Sequence, residues 1–106
     1  MINFEYYKIF YYAAKYKNFT KAASFLSTSQ SAISHAMQNL EYQLGCRLFT
    51  RSNRGIALTD EGQKLYSFVE PGCQQFFKGE SLISQAVNLE TGTVHIATTV
   101  TAFQCS

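Results

Sequence analysis

The chain has one proline, one aspartate and three cysteines, and it has no apolar run long enough to cross a bilayer. Each scarcity excludes something. With Pro71 alone against 46% hydrophobic and 15% aromatic residues, the 106-residue chain is neither disordered nor low in complexity, and is expected to form one ordinary domain with a real but small core. Residues 1–20 set Glu5, Lys8, Lys15 and Lys17 among tyrosines, so they lack the apolar centre of a secretory leader, and a cytoplasmic protein without membrane contact is expected. Cys46, Cys73 and Cys105 are widely spaced, with no C-x-x-C pair and no histidine close by, which predicts reduced thiols and no metal or cofactor. Asp60 is the sole aspartate, and no Gly-rich phosphate loop or catalytic triad spacing is present, so an enzyme is not expected. Ser34 and His35 adjoin, but neighbours on a helix point about 100° apart and cannot serve as nucleophile and base.

The net charge of +2 is small for a protein that meets nucleic acid, yet it is unevenly spread. Residues 1–59 carry seven basic side chains (Lys8, Lys15, Lys17, Lys21, Arg47, Arg51, Arg54) against Glu5 and Glu41, a net +5. Residues 60–106 carry Lys64 and Lys78 against five acids, a net −3. A field able to attract phosphates therefore belongs to the N-terminal part.

Residues 18–44 hold the densest signal. A first apolar segment, Phe19 to Leu26, meets a second, starting at Gln30, through the short turn Ser27, Thr28, Ser29. Ile33, Met37, Leu40 and Leu44 recur at spacings of four, three and four, which predicts a helix over 30–44 anchored by that side. The opposite side presents Gln30, Ser31, Ser34, His35, Gln38 and Asn39. Solvated helix faces are usually dressed with Lys and Glu, but this helix has Glu41 as its only charge, and uncharged amides and hydroxyls suit pairing with base edges. Ser29 is the expected N-cap and Gly45 the expected left-handed C-terminal residue. Two helices joined by so short a turn cross steeply, and the second can enter the major groove of DNA.

A preceding helix is predicted over Phe4 to Tyr16, with Tyr7, Phe10 and Ala14 buried and Tyr11 alongside. Asn18 is expected to end it in the left-handed region, and Thr20 to cap the next helix. Small Ala22 and Ala23 would let the two motif helices approach closely, or serve only as good helix formers. After the second motif helix, two β-prone runs, Leu48 to Arg51 and Ile56 to Leu58, flank Ser52, Asn53, Arg54 and Gly55, a hairpin signal. A hairpin in this position is a wing. Arg51 and Arg54 would lie on or beside its tip, placed for phosphates or the minor groove.

Phe19, Ala22, Ala23, Leu26, Ser29, Gln30, Ala32, Ile33, Ser34, Leu40, Glu41, Leu44, Gly45, Leu48, Phe49, Arg51, Leu58, Thr59 and Gly62 form, in register and without gaps, a pattern that resembles the N-terminal module of LysR-type transcriptional regulators. The likeness runs from residue 3 to about 97. It implies a mainly α fold: a winged helix-turn-helix of three helices and a β-hairpin, then a long linker helix that pairs with its counterpart in a dimer. It also implies DNA contacts at Gln30, Ser31, Ser34, His35 and Gln38, and at Arg51 and Arg54. Family members often have Pro where this chain has Ser31 and Arg where it has His35; these departures bear on base preference, not on the mode of docking.

Thr59, Asp60 and Glu61 open the next helix with a cap and two acids that favour the helix dipole. In heptads its inner positions read Gly62, Leu65, Val69, Gly72, Phe76, Gly79, Ile83 and Ala86, a partly apolar stripe on which a homodimer could pair, with Leu65, Val69, Phe76 and Ile83 as its apolar members. Pro71 and Gly72 predict a kink or break near residues 70–72. Residues 93–101 read as a strand after Gly92. The expected layout is a DNA-binding domain over 1–59, a linker and dimerisation helix over 60–90, and over 91–106 the start of an effector-binding domain whose remainder is missing. A small-molecule effector is then expected only for a longer form of the chain, and double-stranded DNA is the expected partner of this one. The rival is a helical protein-interaction module, and salt separates the two: phosphate contacts weaken steeply with salt, apolar ones hardly at all.

Overall fold

Asn3 starts the fold. Its side-chain oxygen accepts the Glu5 N–H at 2.9 Å and caps α1 (Phe4–Tyr16), and Glu5 sets its carboxylate in the first turn, where the helix dipole favours it. The computed structural model describes residues 1–91 of the chain. α1 packs against both following helices, so its buried face is broader than one stripe and comprises Phe10, Tyr11, Tyr12, Ala13 and Ala14. Tyr7, expected among them, is only half-buried.

The link to the second helix differs from the sequence expectation. Lys17, not Asn18, takes the left-handed conformation, at φ 52°. Asn18 is extended, and its side-chain oxygen accepts the Lys21 N–H at 2.9 Å, so Asn18 rather than Thr20 caps α2 (Phe19–Phe25). Phe19 thereby becomes the first helical residue and drops into the core. Leu26 closes α2, Ser27 turns the chain at φ 57°, and Ser29 accepts the Ala32 N–H at 3.1 Å to cap α3 (Gln30–Leu44). Gly45, at φ 76°, returns its N–H to the Glu41 carbonyl at 2.8 Å and ends α3 as expected.

Ala22 and Ala23 of α2 are buried, and α3, which packs against α2, contributes Ile33, Ala36, Met37 and Leu40 to the core. Leu44 does not anchor the helix: it is 38% exposed. By angle it belongs to the same side, so its exposure marks where the body under α3 ends, one turn short of the helix itself.

β1 (Phe49–Ser52) and β2 (Gly55–Leu58) form an antiparallel hairpin with Phe49 opposite Leu58 and Ser52 opposite Gly55. Leu48 and Phe49 are buried, and the Phe49 ring packs 5.3 Å from Phe19 and 5.5 Å from Phe10, centroid to centroid. This aromatic chain ties the hairpin to α1 and α2. Thr59 then caps α4 (Asp60–Thr91): its hydroxyl oxygen accepts the Gly62 N–H at 3.0 Å while the hydroxyl donates to the Arg47 carbonyl at 2.7 Å. Tyr66 stacks on Tyr11 at 6.2 Å and fixes the first turns of α4 to α1.

Two expectations for α4 are revised, and of the kink or break expected at Pro71 it is the break that fails. The helix does not break at residues 70–72; Pro71 lies inside it. Pro71 deprives one carbonyl of its N–H, that of Ser67, and both residues are exposed, which lowers the cost of the missing donor. Gly62 also does not join a pairing stripe, because it is buried against the Leu48 carbonyl and the Leu58 side chain. By internal contacts the chain divides into two units between Pro71 and Gly72. In the second unit Phe76, Leu82, Ile83 and Leu89 are exposed; Leu65 and Val69 in the first are half-buried. The strand expected over 93–101 lies outside the described residues.

Candidate nucleic-acid interface

The polar side of α3 faces outward. Gln30, Ser31, His35 and Gln38 are exposed and Ser34 is half-buried, while Ile33, Ala36, Met37 and Leu40 hold the opposite side in the core. The surface so presented carries amides, hydroxyls and one imidazole, and no carboxylate, ammonium or guanidinium of its own. Asn39, grouped with these by angle, is turned inward: its amide nitrogen donates to the Tyr6 hydroxyl at 3.5 Å. Glu41 is also withdrawn. Its Oε2 accepts the backbone N–H of Leu48 at 2.7 Å and of Phe49 at 3.2 Å, and lies 3.5 Å from Arg47 Nε. The one acid of α3 is thus spent on holding the start of the hairpin, leaving the outward face free of negative charge.

The two wing arginines are placed differently. Arg54 sits at the tip, exposed, in the two-residue connection between the strands. Neither Asn53 nor Arg54 has a positive φ; Gly55 supplies it, at φ 117°, so the reversal needs glycine there and leaves the Arg54 side chain unconstrained by the turn. Arg51, from the middle of β1, folds back toward α3. Its guanidinium carbon lies 4.9 Å from the centre of the Phe19 ring, and a terminal nitrogen donates to Ser34 Oγ at 2.9 Å. One shallow groove collects Lys17, Thr20, Gln30, Arg51, Ser52 and Arg54, and a second, on the other side of Arg51, runs past Ser34, Gln38 and Arg47.

All seven residues predicted to meet DNA lie in the N-terminal unit, and the grooves bring Gln30, Arg51 and Arg54 together on one side and Ser34, Gln38 and Arg51 on the other. Neither groove joins Ser31 or His35 to these five, although both are exposed on α3. Lys17 and Ser52 escaped residue-by-residue reading. Lys17 was visible in the sequence only as part of the basic excess, and its place beside Gln30 depends on the left-handed turn that ends α1. Uncharged hydrogen-bonding groups flanked by cations are what base-edge pairing with accompanying phosphate contacts requires.

Residues 4–63 match the model of the lysR family of bacterial regulatory helix-turn-helix proteins. The chain belongs to that family. Among curated relatives of this LysR-family chain, the HTH-type transcriptional regulator PgrR of Escherichia coli K12 is 35% identical over 89 residues, covering 84% of this chain and 30% of that protein. The uncharacterized HTH-type transcriptional regulator YvbU of Bacillus subtilis is 35% identical over 96 residues, covering 90% and 33% respectively. The chain therefore spans about a third of the length of these relatives. Among solved structures, a BenM DNA-binding domain in complex with catB site 1 DNA superposes with a TM-score of 0.71 at 27% identity, covering 81% of this chain and 97% of that one. Full-length CbnR bound to its target DNA gives 0.66 at 33% identity, covering 74% and 27%. No described helix is long and apolar enough to cross a membrane.

Proposed function

We infer that this chain is the DNA-binding part of a transcriptional regulator rather than an enzyme, working as a homodimer on double-stranded DNA in the cytoplasm. The observation that carries this reading is the outward, uncharged hydrogen-bonding side of α3, about 22 Å long at ~1.5 Å per residue, flanked by arginines. α3 enters the major groove, where Gln30, Ser31, Ser34, His35 and Gln38 meet base edges; the wing, through Arg51 and Arg54, meets phosphates or the minor groove. Two related structures, of BenM and of CbnR, contain DNA, which supports this docking. Leu65, Val69, Phe76 and Ile83 pair the linker helices, so that two α3 helices address half-sites separated by multiples of about 10 base pairs. Residues 1–59 form the DNA-binding domain and 60–90 the linker, and 91–106 open an effector-binding domain that would bind a small molecule in a longer form.

Affinity for duplexes selected from a random pool, measured against salt, tests the reading. DNA binding through Z phosphate contacts gives a log-log slope near −0.9Z, whereas a protein-interaction module is nearly indifferent. A flat slope with no selected sequence would sink it. Gln30→Ala should weaken binding by about 1 to 3 kcal/mol at particular base pairs and little elsewhere. Arg54→Ala should do the reverse, weakening all duplexes alike and lowering the salt slope by about 1 per chain. An unchanged slope would remove Arg54 from the phosphate contacts.

A further inference from the structure

The bond between Arg51 and Ser34 gives the reading face a polarity that neither residue has alone. A free serine hydroxyl both donates and accepts, and so tolerates any base edge. Here the guanidinium donates to Ser34 Oγ at 2.9 Å, taking one of the hydroxyl's two acceptor lone pairs on the Arg51 side and turning its proton toward the open side. Arg51 itself is a donor only, with five N–H groups of which the Ser34 bond uses one. It is held in place from behind by the Phe19 ring at 4.9 Å, and Phe19 is buried against Phe49. Both residues line the groove beside α3, with Arg51 exposed and Ser34 half-covered.

Resting on the DNA-binding reading above, but moving Arg51 from the wing's phosphate or minor-groove contacts into the major groove beside α3, we propose that Arg51 and Ser34 act as one donor unit that selects guanine at a single position of each half-site. Guanine is the base whose major-groove edge offers two acceptors, N7 and O6, and no donor; adenine and cytosine each present an amine there, and thymine one oxygen beside a methyl group. A fixed cation and an outward hydroxyl proton meet the guanine edge with two favourable contacts and meet an amine with repulsion. Arg51 is thus a specificity-determining residue of the reading helix although it belongs to the wing strand.

The test uses the 106-residue chain, with duplexes selected from a random pool and then varied one base pair at a time, titrated at fixed salt. The unaltered chain should prefer guanine at one position by about tenfold, and 7-deazaguanine at that position should remove most of the preference. Arg51→Lys, which keeps the charge but not the fork, and Ser34→Ala should each flatten the preference there and leave the other positions unchanged. The double variant should lose no more than either alone. Far-UV circular dichroism and melting confirm that each variant is folded. Equal weakening on every duplex with the preference intact, or selection of cytosine or adenine at the position these variants affect, would overturn the proposal. So would additive losses in the double variant. Failure of the unaltered chain to bind any duplex would reject the DNA-binding function itself, a result distinct from binding without guanine selection.

Discussion

Gly62→Ala should destabilise the N-terminal unit by about 3 kcal/mol or more, measured as a drop in the urea or thermal midpoint. The added methyl would overlap the Leu48 carbonyl oxygen and meet Leu58 Cδ2 at 3.0 Å. Backbone cannot give way as a flexible side chain can, and this carbonyl is doubly constrained: it accepts the Thr59 N–H at 2.9 Å, and Leu48 is buried between the hairpin and the helices. Relief would require α4 to lift from the start of the wing. The same substitution at Gly72 or Gly79 meets no heavy atom within 4 Å among the described residues. There alanine should stabilise the helix by about 0.5 to 1 kcal/mol, because it restricts the unfolded chain more than glycine does. Similar effects at all three glycines would show that close packing at Gly62 is not what the position demands.

That contrast also separates what could be read from the sequence from what could not. α1 and α3 run from Phe4 to Tyr16 and from Gln30 to Leu44 as expected, because apolar periodicity and terminal caps are local properties of the chain. The outward polar face of Gln30, Ser31, His35 and Gln38 follows from the same angular argument, whereas Asn39, grouped with it by angle, turns inward to Tyr6. Asn18 defeated the local reading because asparagine suits both a left-handed helix end and an N-cap; Lys17 accepted the left-handed strain and freed Asn18 for the second task. The heptad reading of α4 placed Gly62 in a pairing stripe since angle alone cannot reveal that the Leu48 carbonyl already occupies that side. Arg51 was placed on the wing correctly, but its fold-back over Phe19 onto Ser34 joins three segments distant in sequence, and no local pattern encodes such a contact. Pro71 shows the opposite limit. Its local penalty, about 3 kcal/mol, is outweighed by the rest of a 32-residue helix.

Glu41→Ala should detach the wing from α3. The Glu41 carboxylate is 14% exposed, and one of its oxygens holds the backbone N–H groups of Leu48 and Phe49, whose own side chains are buried. Alanine leaves both donors without an acceptor in a place where water has poor access. At about 1 to 3 kcal/mol for each of the two unsatisfied groups, the loss should reach roughly 2 to 6 kcal/mol. Hydrogen exchange at the Leu48 and Phe49 amides should accelerate more than at the centre of α1. Glu41→Gln retains an acceptor oxygen and sacrifices only the charge assistance and the Arg47 pair. Arg47 is 72% exposed, so that pair contributes little, and the loss should stay near about 1 kcal/mol. Because Arg51 and Arg54 reach their positions only while β1 is tied to α3, Glu41→Ala should also weaken DNA binding. Adding Arg54→Ala to it should then cost less than Arg54→Ala costs alone. Full additivity of the two, or unchanged exchange at Leu48 and Phe49, would show that the wing is held by its aromatic packing and not by this carboxylate.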